Sequence, residues 1–197
     1  MKALGRGSIA SLVKIGLDIL WVLFSIALGL VCVSALAYGV AAILTATGHL
    51  PPEILAGGNG DYKSSGVKAE LSFDGLAPQV AIPALLSAAA ACGGALIITG
   101  RLKRLFASFT SSTPFSRGNA DHLRAIWMTM AGMELARYAI MALAGVLVAA
   151  LGEPPGQDFT FKLNINMMAW GAILVLIVLA EVFREGARLR EEEDLTI

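Results

Sequence analysis

This chain has little of what a soluble domain or an enzyme site is built from. Charged residues make up 15% of its 197 positions, against about 25% in soluble domains. A deficit that size, with a mean hydropathy of +0.72, excludes an ordinary soluble fold and points to an integral membrane protein. There are two cysteines, Cys32 and Cys92, each inside an apolar run. Neither belongs to a Cys-x-x-Cys or His/Cys cluster, so neither a disulfide framework nor a zinc site is expected. Two histidines, His49 and His122, are too far apart in the layout below to share a site. No P-loop, dinucleotide fingerprint or zinc motif occurs. No catalytic residue, metal or cofactor is therefore assigned, and the chain does not read as an enzyme. Formal net charge is zero, so only its distribution is informative.

What the chain has is long apolar runs. A spanning helix needs about 20 mostly apolar residues. Four runs qualify, over about 15–46, 80–99, 125–151 and 167–183. The first is long enough to tilt or to project beyond the bilayer. Its basic start (Lys2, Arg6, Lys14) and Ala35-Leu36-Ala37 resemble a cleaved signal peptide. The run nevertheless continues through Val40, Ala41, Ile43 and Leu44, which favours a retained span.

Loop charges set orientation. The N-terminus carries +3. Loop 47–79 carries −2 (Lys63 and Lys68 against Glu53, Asp61, Glu70 and Asp74). Loop 100–124 carries +4 (Arg101, Lys103, Arg104, Arg117 and Arg124 against Asp121), and loop 152–166 carries −1. This alternation predicts both termini in the cytoplasm and loops 47–79 and 152–166 outside. In the outer loops, Val67, Ala69, Leu71 and Phe73 alternate with polar residues, as do Phe159, Phe161, Leu163 and Ile165. Period-two patterning predicts two strands, expected to pair into a small outer sheet. The fold class is thus all-α: one integral membrane domain, a four-helix bundle with an extracytoplasmic two-stranded β element.

On the cytoplasmic side, Gly100–Phe106 mixes basic and apolar residues as a helix crossing the headgroup layer does. The basic stretch is short and lacks a recognition fold around it, so direct nucleic-acid binding is not expected. Ser111–Phe115 breaks the helix, and Ser116 is placed to cap a helix beginning at Arg117. The fourth span is predicted to continue into a polar helical tail, 184–197, with Arg188/Glu192 and Arg190/Asp194 at i,i+4 spacing. Acids at the C-terminal end oppose the helix dipole. Docking onto Arg101, Arg104, Arg117 and Arg124 would account for them. Leu195-Thr196-Ile197 is then an apolar tip for the Pro114-Phe115 turn or for a partner.

Thr113-Pro114-Phe115-Ser116, with Asn119-Ala120 and Leu123-Arg124, resembles the "pF…N…LR" segment of a bacterial membrane family, domain of unknown function 2975. The ending Phe183–Ile197 resembles that family's "iF..G..L.EE.dLTV" finish. The resemblance implies a small four-span protein of the bacterial cytoplasmic membrane, often encoded beside a small helix-turn-helix regulator, with no established activity. These two segments, with Arg104 and Glu181 on the same side of the membrane, make Arg104, Pro114, Phe115, Arg117, Asn119, Arg124, Glu181, Phe183, Gly186, Leu189, Glu192, Asp194 and Leu195 the expected cytoplasmic interaction face. The partners expected are the lipid bilayer, such a regulator and a second copy of the chain.

Within the third span, Glu134 and Arg137 are three residues apart. Arg137 lies about 18 Å from the cytoplasmic end at 1.5 Å per residue, near the midplane, where charges are costly and face the bundle interior. The pair either fixes helix register or serves as a proton relay or counter-ion. Asp18 and Glu181, nearer the surface, are expected to pair with Arg124 or Lys14. Two functional readings follow: a regulatory interaction protein, or a small transporter or channel using Glu134 and Arg137. No inverted repeat or broken helix supports the second.

Overall fold

The computed structural model describes residues 9–50, 55, 77–109, 117–152 and 165–194. Among them are four long helices: α1 (Ile9–Ala46), α2 (Pro78–Phe109), α3 (Arg117–Leu151) and α4 (Met167–Asp194). Each contains an apolar window long enough to cross a membrane, and no more than 11% of any such window is buried within the protein. Apolar surface left this open needs lipid as its solvent, and the chain is a multi-pass membrane protein. The predicted outer strands, 67–73 and 159–165, lie outside the described residues except for Ile165, and the described residues contain no strand.

The helices outrun their apolar cores. At 1.5 Å per residue the 38 residues of α1 extend about 57 Å, well beyond a hydrocarbon layer of about 30 Å. α2 runs on through Arg101–Phe109, and α4 through Arg184–Asp194. Arg, Lys, Leu, Ala and Glu are good helix formers, and no proline interrupts either extension.

The ends have identifiable causes. Gly48 has a positive φ of 77°, and the amides of Thr47, Gly48 and His49 return to the carbonyls of Ile43, Thr45 and Leu44 at 2.9–3.1 Å. Gly152, with φ 85°, ends α3 in the same way and donates to the Val148 carbonyl at 2.9 Å. Both are left-handed C-terminal caps, where only glycine avoids a Cβ penalty. At the start of α4 the Asn166 Oδ1 accepts the Ala169 amide at 3.1 Å, an N-cap bond. Within the spans, Ser25, Thr45 and Thr129 donate their hydroxyls to carbonyls one turn back, at 2.7–3.0 Å. This removes donors that lipid could not satisfy.

The described chain falls into two compact units. The first gathers α1 up to Gly29, α2 from Ala90, α3 up to Ala136 and all of α4. Its core is Leu17, Leu105, Ala120, Leu123, Ile126, Ile173 and Ala187, drawn from all four helices. At Gly94 a Cβ would collide with the Met133 side chain, so the missing side chain lets α2 and α3 approach closely. The second unit gathers α1 from Leu30, α2 up to Ala89 and α3 from Arg137. There Gln79 is buried and its Nε2 donates to the Gly152 carbonyl at 3.1 Å, tying the start of α2 to the end of α3.

Candidate functional site

The first unit holds nearly all of the described candidate residues, and they divide by burial. Asn119 is 1% exposed. The Ser108 hydroxyl lies 2.7 Å from Asn119 Oδ1 and 2.7 Å from the Leu105 carbonyl. This links the last turn of α2 to the first turn of α3 across the intervening loop. Ala120 and Leu123, one position and one turn on, are buried with it. Arg124 is exposed. The "N…LR" segment is therefore half packing element and half presented charge. Arg117 opens α3, although its side chain is not among those described, and Pro114 and Phe115 lie outside the described residues.

The ending divides in the same way. Ala187 is 2% exposed, and Phe183, four residues earlier on the same face, is half-buried together with Gly186. Glu181 pairs with Arg184, one turn on. Arg188 binds Glu185 at 2.7 Å and Glu192 at 3.5 Å. Asp194 is the last residue of α4, and Leu195 lies outside the described residues.

These two segments meet. Ala120, Asp121, Arg124 and Trp127 of α3 and Ile177, Ala180, Glu181, Arg184, Glu185 and Arg188 of α4 line one cleft of about 620 Å³. On each helix the lining positions recur every three or four residues, as one helix face requires. Ala120, Trp127, Ile177 and Ala180 form its apolar part. Three acids and three arginines form the rest, so its lining is charged but balanced. Apolar and charged side chains thus share one lining. Among the described residues, no group of three or more His, Cys, Asp or Glu could hold a metal ion.

The expected partners of Asp18 and Glu181 are different. Asp18 binds Lys103 of α2 at 2.5 Å rather than Lys14 or Arg124. The ammonium also sits 5.4 Å from the centre of the Trp21 ring. Asp18 and Trp21 are three residues apart, so one face of α1 offers a carboxylate and a π-face to one lysine. Glu181 takes Arg184 rather than Arg124 because the partner one turn along its own helix is always in reach. Leu189, a member of the expected interaction face, is 53% exposed. It lies two residues, about 200°, around α4 from buried Ala187. Arg104 is exposed on α2. Glu134 and Arg137 are both half-buried on α3. The Arg137 Nη2 donates to the Tyr138 hydroxyl at 3.4 Å, and its guanidinium lies 4.9 Å from the Tyr138 ring centre.

Sequence reasoning missed Ser108, Asp121, Trp127, Arg184, Glu185 and Arg188 as site members. A signal for the last three was present in the run 177, 180/181, 184/185, 188, which is one continuous face of α4.

No curated protein and no solved structure matches this chain. A family model does, over residues 74–197, a stretch that contains α2, α3, α4 and both segments lining the cleft, while α1 lies before it. That match covers more than half of the chain, and the protein belongs to the family described as "Protein of unknown function (DUF2975)".

Proposed function

We propose that this is a non-enzymatic regulatory protein of the bacterial cytoplasmic membrane. In this reading both termini are cytoplasmic, and the face formed by residues 101–124 and 183–197 docks a protein partner, a small helix-turn-helix regulator. The observation that carries the reading is the cleft. Two segments some sixty residues apart in the chain, each resembling a family motif, contribute its walls. Its mixture of aromatic, aliphatic and balanced charged groups suits a protein surface better than a small solute. The loop charges support the cytoplasmic assignment.

The test is crosslinking from native membranes with the neighbouring regulator co-expressed. Recovery of the regulator by wild type is expected. Recovery and the neighbouring gene's output should both fall when residues 195–197 are deleted, or when Glu191, Glu192 and Glu193 are all changed to lysine. Wild-type capture and gene output in both variants would sink the reading. Reporter fusions after Arg104 and Ile197 should read cytoplasmic and those near Gly58 and Gln157 external; an external C-terminus would overturn the orientation. The outer sheet belongs to the same proposal. Cysteines introduced pairwise, one in 67–73 and one in 159–165, should crosslink at some register, and failure at every register removes it.

A further inference from the structure

The last turns of α2 carry three cations, and they are not alike. Lys103 is neutralised by Asp18 and covered by Trp21. Arg101 and Arg104, three residues apart and so on one face, have no ion pair with any described residue. Arg101 is half-buried and Arg104 exposed. Both guanidinium groups lie close enough to bear electrostatically on His122 of α3. The Nδ1 of that ring is buried with no hydrogen-bond partner among the described residues. Among the described residues, Asp121 is the one acid acting on the same ring, and it is exposed and lines the α3–α4 cleft. Among the described side chains of α4, the acids Glu181, Glu185 and Glu192 pair with Arg184 and Arg188 of their own helix. Two like charges on one face of α2, within electrostatic reach of one imidazole, leave a local positive surplus that an anion from outside would relieve.

The level of the cluster identifies the anion. It begins two residues after Thr99, where the apolar run of α2 ends. Trp21 lies against Lys103 at the same turn, and Trp127 is five residues, about 7.5 Å, further along α3 than His122. Tryptophans gather at the headgroup level of a bilayer. Paired arginines are the side chains best shaped for phosphate oxygens, and basic pockets between spanning helices suit anionic lipid headgroups.

We propose that Arg101 and Arg104, beside His122, hold the phosphodiester headgroup of an anionic phospholipid. The site lies beside the α3–α4 cleft, linked to it through Asp121, and takes from the proposed docking face the two arginines nearest the headgroups. Native mass spectrometry of the full chain, released from nanodiscs of mixed phosphatidylcholine and phosphatidylglycerol, tests it. Wild type is expected to retain phosphatidylglycerol preferentially. Arg101→Gln with Arg104→Gln should reduce that preference roughly 30-fold, taking about 1 kcal/mol per basic residue near an anionic surface. Arg124→Gln, whose charge lies in the cleft, should leave it unchanged. Because the Gln pair could misfold, wild type alone provides a second measurement: no preference for phosphatidylglycerol over phosphatidylcholine overturns the proposal. Displacement of the lipid by inorganic phosphate also overturns it, since the site would then serve a soluble anion. So does a folded Gln pair that keeps the lipid but no longer captures the regulator, which would make the patch a protein contact.

Discussion

In the first unit, Leu17, Leu105, Ala120, Leu123, Ile126, Ile173 and Ala187 are buried against one another's helices, together with Thr99 and Asn119. In the second, Ala77 and Gln79 are the buried residues among those described, while Val33, Leu36, Val40, Ile43 and Val146 are each more than half exposed. Both units are made of the same three long helices, and only the first also contains α4. The fourth helix supplies the extra wall that lets small and branched side chains from four directions close on each other. Without it, the second unit relies on backbone caps at Gly48 and Gly152 and on the Gln79 bond. The lesson is one of division of labour. Side-chain packing is concentrated where the cleft and the cation cluster must be held in place, and lipid serves as partner elsewhere.

That contrast can be broken by mutation, with stability read from unfolding in mixed micelles on titration with SDS. The largest effect is expected at Ile126, 3% exposed. Ile126→Ala should cost about 2–4 kcal/mol by leaving a cavity, whereas Val146→Ala, at a position 64% exposed, should stay within about 0.5 kcal/mol. Equal losses would erase the distinction between the units.

Next comes Asn119. Asn119→Ala removes the buried acceptor that joins α3 to Ser108 of α2 and should cost about 1–3 kcal/mol, while Gln79→Ala in the second unit should cost about 0.5–1.5 kcal/mol. If Gln79→Ala proves the more damaging, the second unit is not the loosely tied one.

Glycine substitutions should differ even in sign. Gly94→Ala forces Met133 to move and should cost about 1 kcal/mol or more, with Met133→Ala restoring much of it. Gly39 has nothing within 4 Å of an added Cβ, so Gly39→Ala should be neutral or stabilise by up to about 1 kcal/mol through helix propensity. Loss at both positions would mean that α1 is packed against something at Gly39.

The smallest effect is expected at Asp18, whose pair with Lys103 is partly exposed on both sides. Asp18→Asn should cost about 0.2–1 kcal/mol and less in high salt, since exposed pairs are screened. A loss above about 2 kcal/mol would place the lysine clamp among the principal ties of the first unit.

How much of this was legible in advance depends on how local the cause is. The apolar runs gave the spans, because the need to bury a backbone in lipid acts on each segment separately. The continuation of α4 to Asp194 followed from the composition of its last turns. The turn-closing roles of Gly48 and Gly152 are not legible in the loop patterning, because a positive φ is a property of the backbone and not of the residue pattern. The cleft was not foreseen as a cleft. Its two motifs were recognised separately, but which faces of α3 and α4 meet is decided by where Leu123, Ile126, Ile173 and Ala187 pack. Periodicity names a face without naming its neighbour. For the same reason Asp18 was assigned partners on its own helix and on α3, while the real one, Lys103, sits on α2.

The uninterrupted run of α4 from Met167 to Asp194 has a mechanical consequence. No proline lies between the membrane-embedded part, around Ile173, and the cleft wall at Arg188. Fifteen residues of helix separate them, a rod of about 22 Å. A tilt of about 5° pivoting at Ile173 carries the Arg188 backbone sideways by about 2 Å, close to the radius of a helix backbone. Small changes in how α4 leans are thus delivered undiminished to one wall of the cleft, as a lever arm delivers rotation to its tip.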